Sequence, residues 1–199
     1  MPTKLDTIET LARKKGLLRD RDLRQHGLPR VYLGRMVRKG LLVRQARGVY
    51  SAPDYEPTHT HDAELACLRV PHGVLCLLSA LVYHRIGTQN PAQVWLAIDG
   101  KAWHPKIDYP PLRIVRFSGL ALTSNVLIER SETGLIRVFD PAKTVADCFK
   151  FRQKVGLDVA LEALRDGWRM RKFTMDQLVS AAEICRVRQV IQPYLEMLT

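Results

Sequence analysis

Long apolar runs are missing from this chain: none approaches the roughly 20 residues that span a bilayer. A secretion signal needs an apolar core near the start, and Lys4, Asp6 and Glu9 interrupt that stretch. Residence in the cytoplasm with no membrane partner is therefore expected. Cysteine is sparse, with no C-x-x-C pair; Cys67, Cys76, Cys148 and Cys185 each sit among apolar neighbours and read as buried, reduced thiols. A zinc site assembled from His59, His61, Cys67, His72 and Cys76 would match no usual ligand spacing, so neither metal nor cofactor is expected. A Gly-rich phosphate loop is also lacking, since Gly119 and Gly134 stand alone. Acidic residues are scarce in one place: the first fifty positions hold only Asp6, Glu9, Asp20 and Asp22.

Those same fifty positions hold thirteen lysines and arginines, a net of +9 out of +11 for all 199 residues. The remainder is nearly neutral. Such an asymmetry joins a basic module to a neutral one, and only the first is suited to a polyanion, with DNA the leading candidate. A hydrophobic content of 46% and a charged content of 26% are those of an ordinary globular chain. The length suits one large or two small domains.

Within the basic segment, Leu5, Ile8, Leu11 and Ala12 form one apolar stripe on a helix over residues 4–15, which Gly16 stops. A second short helix covers residues 19–26, with Asp20 and Asp22 in its first turn but no Ser, Thr or Asn to cap its start. After the turn Gly27-Leu28-Pro29, a third helix opens at Pro29 and ends at Gly40. At 100° per residue Leu33, Met36 and Val37 point inward. Val31, Arg35 and Arg38 point outward, and Tyr32 and Lys39 lie on the flanks. Gly34 lies near the outward face and would permit close backbone approach. Two β-prone runs around Ala46-Arg47-Gly48 then read as a hairpin with Arg47 at its tip.

This order predicts a winged helix-turn-helix in residues 1–52. Arg35 and Arg38 are the candidates for base edges, and Val31 for a thymine methyl. Tyr32 and Lys39 would meet the backbone, Arg47 the phosphates or minor groove, and Arg30 and Arg44 would add electrostatic positioning. Residues 53–58, bounded by Pro53 and Pro57, read as a linker.

Residues 59–199 alternate differently. Helix is expected to residue 69, broken at Pro71-His72-Gly73, and residues 74–86 read mostly as one buried helix. Strands are expected at 94–98, 112–117, 126–130 and 135–139, the last two flanking Ser131-Glu132-Thr133-Gly134 as a hairpin. Asp140-Pro141 starts a helix that points Val145, Ala146, Cys148 and Phe149 inward, with Lys143 and Asp147 as a surface pair. Further helices follow Gly156 and the capping box of Thr174 and Gln177, and residues 187–198 close the chain around Pro193. The whole is read as α+β: a winged helix-turn-helix followed by a larger mixed domain. A basic cluster of Arg165, Arg169, Arg171 and Lys172 around Trp168 is either a solvated helix end or a further contact with a partner.

Catalytic look-alikes are few, and no catalytic residue is assigned. Asp99-Gly100-Lys101 after an apolar strand imitates the D-x-K of restriction-type nucleases. An upstream acid would have to come from Asp54, Glu56, Asp62 or Glu64, all in linker or helix, so a polar turn is the simpler reading. Ser79 and His84 fall about 140° apart around one helix, a poor nucleophile–base pair. The alternatives to a DNA-binding regulator are thus a DNA-processing enzyme using Asp99 and Lys101, and a binding module for RNA or an acidic protein.

Four stretches carry a resemblance. They are Gly27-Leu28-Pro29-Arg30; Arg47-Gly48-Val49-Tyr50; Leu78-Ser79-Ala80-Leu81 with His84; and Asp140-Pro141-Ala142-Lys143-Thr144-Val145-Ala146-Asp147. In this order they resemble the AbiEi-type antitoxins, regulators of type IV (abortive-infection) toxin–antitoxin systems. The resemblance implies a winged-helix repressor of its own operon that recognises repeated sequences in double-stranded DNA near the promoter. It also implies an antitoxin that counters a nucleotidyltransferase-like toxin through its C-terminal domain, an antagonism that does not require a stable complex.

Overall fold

Thr3 begins the first helix by capping it: its hydroxyl accepts the Asp6 N–H at 3.2 Å while the Asp6 carboxylate accepts the Thr3 N–H at 2.9 Å. The computed structural model describes residues 3–56, 60–131 and 134–196. Within them the chain falls into two compact units, 1–64 with 130–134 and 65–129 with 135–199. Pro57 and Thr58 of the linker, Glu132 and Thr133 of the expected hairpin turn, His59, and the last two residues of the expected final helix lie outside the described residues.

The first unit opens with α1 (Lys4–Lys15), β1 (Leu18–Arg19), α2 (Asp20–Gln25) and α3 (Val31–Arg38). The hairpin β2 (Val43–Ala46) and β3 (Val49–Ser51) follows, and a three-stranded sheet forms in the order β1-β3-β2. This succession is consistent with a winged helix-turn-helix. Its core gathers Ile8, Ala12, Leu18, Leu23, Leu28, Leu33, Met36, Leu42 and Tyr50, from the three helices, β1, β3 and the turns between them.

Two expectations shift in detail. The third helix spans Val31–Arg38 rather than starting at Pro29, because Pro29 contributes its carbonyl instead, to the Tyr32 N–H at 3.2 Å. The strand β1 was not foreseen, being two residues that gain extended form only by pairing Leu18 with Tyr50 and Arg19 with Val49.

The chain continues with α4 (His61–Arg69), β4 (Val74–Leu75), α5 (Leu77–His84), β5 (Val94–Asp99), β6 (Leu112–Phe117), α6 (Leu120–Thr123), β7 (Val126–Arg130) and β8 (Leu135–Phe139). It ends with α7 (Pro141–Lys150), α8 (Arg152–Val155), α9 (Leu157–Arg169), α10 (Met175–Ile184) and α11 (Arg188–Leu195). The five strands lie in the order β6-β5-β4-β8-β7. β4 runs antiparallel to β5 and parallel to β8, and β5 runs parallel to β6 with Val94 opposite Leu112. The fold is α+β. Among the described residues no helix is long and apolar enough to cross a membrane.

Residues 74–86 are not one helix. Val74 and Leu75 form a central strand, buried on both faces, and only then does α5 begin. A strand covered on both sides reads as a continuous apolar run, which periodicity alone does not separate from a buried helix.

Helix α7 overturns a second expectation. Asp140 caps it as foreseen, accepting the Lys143 N–H at 2.7 Å. Every residue from Ala142 to Phe149 is nonetheless buried, Lys143 and Asp147 included, so their pair is internal and not on the surface. The Lys143 ammonium lies 2.5 Å from the Asp147 carboxylate, 3.9 Å from the Phe139 ring centroid and 5.0 Å from that of Phe117. The Cys185 thiol donates to the other Asp147 oxygen at 3.1 Å. Burial pushes the Asp147 carboxyl up from its ordinary range, and Lys143 with the thiol only partly offsets this. All four cysteines are buried. Burial, and then the neighbouring Asp147, push the thiols of Cys76, Cys148 and Cys185 up, which leaves them little thiolate character.

Removing one member of a buried pair strands the other charge. Lys143→Met is expected to destabilise the second unit by about 3–5 kcal/mol, while Lys143→Met with Asp147→Leu recovers most of that loss. Denaturant unfolding followed by tryptophan emission checks it, since Trp95, Trp103 and Trp168 all lie in that unit. Equal losses for the single and double variants would contradict a charge-pairing origin.

Candidate nucleic-acid interface

The turn between α2 and α3 decides which way the third helix faces. Both helices end in the same device. Leu28 N–H returns to the Leu23 carbonyl and Gly27 N–H to that of Arg24; Leu41 N–H returns to Met36 and Gly40 N–H to Val37. These are Schellman closures, and each needs a left-handed residue, supplied by Gly27 at φ 65° and Gly40 at φ 72°. The first aims the chain into α3, and the second sends it toward the hairpin.

The start of α2 is held from behind. With no Ser, Thr or Asn available, the Asp22 carboxylate accepts the Arg19 N–H at 2.8 Å. The same carboxylate meets the Lys15 ammonium at 3.1 Å and the Arg19 guanidinium at 3.4 Å. Asp22 is 3% exposed. Burial alone would raise its carboxyl; the Arg19 amide and the two cations outweigh that and hold it below the ordinary carboxylate range.

On α3 the inward positions Leu33 and Met36 are buried and Val37 half-buried, while Arg35, Arg38 and Lys39 are exposed. Val31 is 63% exposed at the first turn. Gly34 is exposed on the same helix with open space beside it. Tyr32 is half-buried against the core, and its ring carries the Arg35 guanidinium at 5.5 Å from the centroid. That cation–π contact restrains the Arg35 side chain along the helix surface.

The hairpin turns at Arg47-Gly48 with Arg47 exposed at the tip. Its register slips between Arg44 and Ala46, an irregularity that adds twist. Arg44 is exposed on β2.

Ion pairing divides the cations of this unit into two sets. Arg13 is held by Glu9 and Asp54, Lys15 and Arg19 by Asp22, and Arg30 by Asp20 at 3.6 Å. Among the described residues, Arg35, Arg38, Lys39, Arg44 and Arg47 enter no ion pair with an acid. These five are the cations of α3 and the hairpin left for an external anion. Arg30 is exposed but partly committed. Arg21 and Arg24, exposed on α2 and three residues apart, also enter no ion pair among the described residues. The reading of the sequence omits them because it weighs only the third helix and the hairpin; their i, i+3 spacing was the available signal.

The look-alikes of the second unit are engaged in hydrogen bonds to the backbone. Asp99 Oδ1 accepts the Lys101 N–H at 2.8 Å, closing a polar turn with both side chains exposed. Ser79 Oγ accepts the Trp95 N–H at 2.8 Å, and His84 Nε2 lies 2.7 Å from the Phe139 carbonyl, as a donor to it. Burial pushes the His84 imidazole down. His61, one of the five residues of the imagined zinc set, faces the Tyr55 hydroxyl at 3.1 Å. No group of three His, Cys, Asp or Glu among the described residues is placed to hold a metal ion.

Residues 6–53 match the family described as transcriptional regulator, AbiEi antitoxin, the family that the sequence motifs resemble. The match runs from within α1 through β3 and so contains the unpaired cations of α2, α3 and the hairpin. No curated protein matches the chain.

Asp22 makes this module acid-sensitive. Asp22→Ala is expected to cost about 1–3 kcal/mol, read as faster amide exchange across α2 and α3. Because its folded value is lowered, the stabilisation is complete above the ordinary carboxylate value of 3.8 and is lost as pH falls through the lower folded one. Exchange rates unchanged by the substitution would remove Asp22 from this role.

Proposed function

We propose that this chain is a sequence-specific autorepressor and antitoxin of a type IV toxin–antitoxin system. It acts in the cytoplasm, without catalysis, metal or cofactor of its own. Residues 1–52 bind double-stranded DNA at repeated sequences in the promoter of its own operon. Residues 59–199, beyond the linker at 53–58, counter a nucleotidyltransferase-like toxin, an antagonism that requires no stable complex.

One observation carries the DNA half: the cations of α3 and the hairpin that no acid neutralises lie inside the segment matched to AbiEi regulators. A guanidinium in the major groove can contact guanine O6 and N7 together, and Arg35 and Arg38 stand one turn apart for that purpose. Val31, exposed at the leading turn, suits a thymine methyl, and exposed Gly34 lets the backbone come close. Lys39, Arg44 and Arg47 supply phosphate contacts. Arg30 must share itself with Asp20, which makes it a positioning cation. Tyr32 acts from the flank through its contact with Arg35.

Titration of the full chain against the upstream region of its own operon, beside unrelated duplex and RNA at moderate salt, tests the reading. A preference of roughly a thousandfold over random DNA is expected. Arg35→Ala should cost about 1–3 kcal/mol and relax selection at one base position. Arg47→Ala should weaken all sequences alike and flatten the salt slope by about one unit. Equal, sequence-blind losses for both would contradict the division of roles.

The antitoxin half rests on the AbiEi match and on the motifs of the second unit. Co-expression with the adjacent gene should restore growth, with rescue surviving Arg35→Ala if DNA binding and neutralisation are separable. Rescue that disappears with DNA binding would assign the protection to repression alone.

A further inference from the structure

The basic cluster around Trp168 has a shape of its own. Helix α9 ends at Arg169, and the chain reverses through Arg171, whose φ of 52° lies in the left-handed region that side-chain-bearing residues rarely adopt. Lys172 N–H returns to the Gly167 carbonyl at 2.9 Å and Arg171 N–H to that of Trp168 at 3.0 Å. Phe173 is then buried with its ring against Gly167, where a Cβ would come within 2.4 Å of it. This plug leaves no room for a larger residue at Gly167 and fixes Trp168 relative to the start of α10.

Between them lies a cleft of about 650 Å³, lined by Trp168, Arg169, Arg171, Lys172 and Met175 among others. Trp168 is half-buried, one part packed on the core and the rest available to the cleft. Arg171 and Lys172 are exposed and, among the described residues, enter no ion pair; Arg169 shares itself with Asp166 at 2.9 Å. Thr174 and Gln177 satisfy one another in a capping box and offer little further. The volume falls within the usual range for small-molecule sites of about 300–1,000 Å³.

We propose that this cleft binds a nucleoside phosphate, its planar base against Trp168 and its phosphates on Arg171, Lys172 and Arg169. An indole beside three cations answers two features joined in one ligand, a π-face and several negative charges. A free nucleotide and the end of a single strand present the same chemistry. The DNA reading of the first unit neither supports this site nor depends on it.

Tryptophan emission of the full chain reports on it, because the first unit contains no tryptophan and Trp95 is buried. Trp103, 95% exposed, is removed as Trp103→Phe so that the accessible signal comes from Trp168. The probes are ATP, GTP, CTP and UTP, inorganic tripolyphosphate, and a short single-stranded oligouridylate. Saturable quenching by a nucleotide is expected, with the dissociation constant raised roughly tenfold or more by Arg171→Asn with Lys172→Gln. Asparagine is chosen because it tolerates the left-handed backbone. If that variant melts early, Arg169→Gln on the exposed helix end supplies the same comparison. Lys101→Gln with Lys106→Gln, an equal charge loss on the loop after β5, should leave binding intact. Quenching by mononucleotides assigns the site to a free ligand; quenching by the oligouridylate alone assigns it to a strand end. Tripolyphosphate competing as well as ATP, equal losses in the loop variant, or no saturable quenching by any probe would each overturn the proposal.

Discussion

One buried carboxylate sets the geometry of the basic unit. Asp22 draws together the end of α1 through Lys15, the strand β1 through Arg19, and the first turn of α2, where an amide would otherwise be left without a partner. An acid in a segment so rich in cations is the natural place for internal pairing to concentrate. Its pairing commits two of those cations, Lys15 and Arg19, to the fold's own charge network. The Gly27 closure continues from this fixed point and orients α3. The outward face of the third helix therefore depends on residues that do not lie on it.

The second unit solves a related problem with the opposite electrostatic result. Helix α7 is buried from Ala142 to Phe149, so its two ionisable residues must neutralise one another inside the fold. Lys143 finds Asp147 and two aromatic faces, and Asp147 also takes the Cys185 thiol. Yet burial outweighs these partners, and the Asp147 carboxyl is raised where that of Asp22 is lowered. Asp147 is the more deeply sealed, and it lacks the backbone amide and the second hydrogen-bonded cation that Asp22 has, Lys150 acting on it only through charge. In both units a carboxylate serves structure, and the cations at the surface are left for partners.

Much of the candidate interface, as a set of exposed cations on α3 and the hairpin, was legible in the sequence. A 100° wheel separates Leu33 and Met36 from Val31, Arg35 and Arg38, because a short amphipathic helix has only one way to bury its apolar side. The Arg47 tip follows from a glycine turn between two β-prone runs. Ion pairing was not legible. Arg30 and Arg35 look equivalent as letters, but Asp20 lies within reach of one, and Tyr32 lies beneath the other. Lys143 and Asp147 look like a surface pair for the same reason: i, i+4 spacing says that two residues meet, and nothing about what covers them.

Local rules in the sequence, then, determined the helices with clear stripes, the longer strands, the caps at Asp140 and Thr174 and the uneven charge. Each of these depends on residues within a turn or two of one another. Only the tertiary structure decided that Val74 and Leu75 become the central strand of a mixed sheet, that α7 is sealed on every side, and which cations remain unneutralised. Those outcomes are set by neighbours distant along the chain: Ala97 and Val138 beside β4, Phe117 and Cys185 around the α7 pair, Asp54 against Arg13. Burial and charge compensation are properties of such assembled surroundings, and periodicity along a single segment carries no record of them.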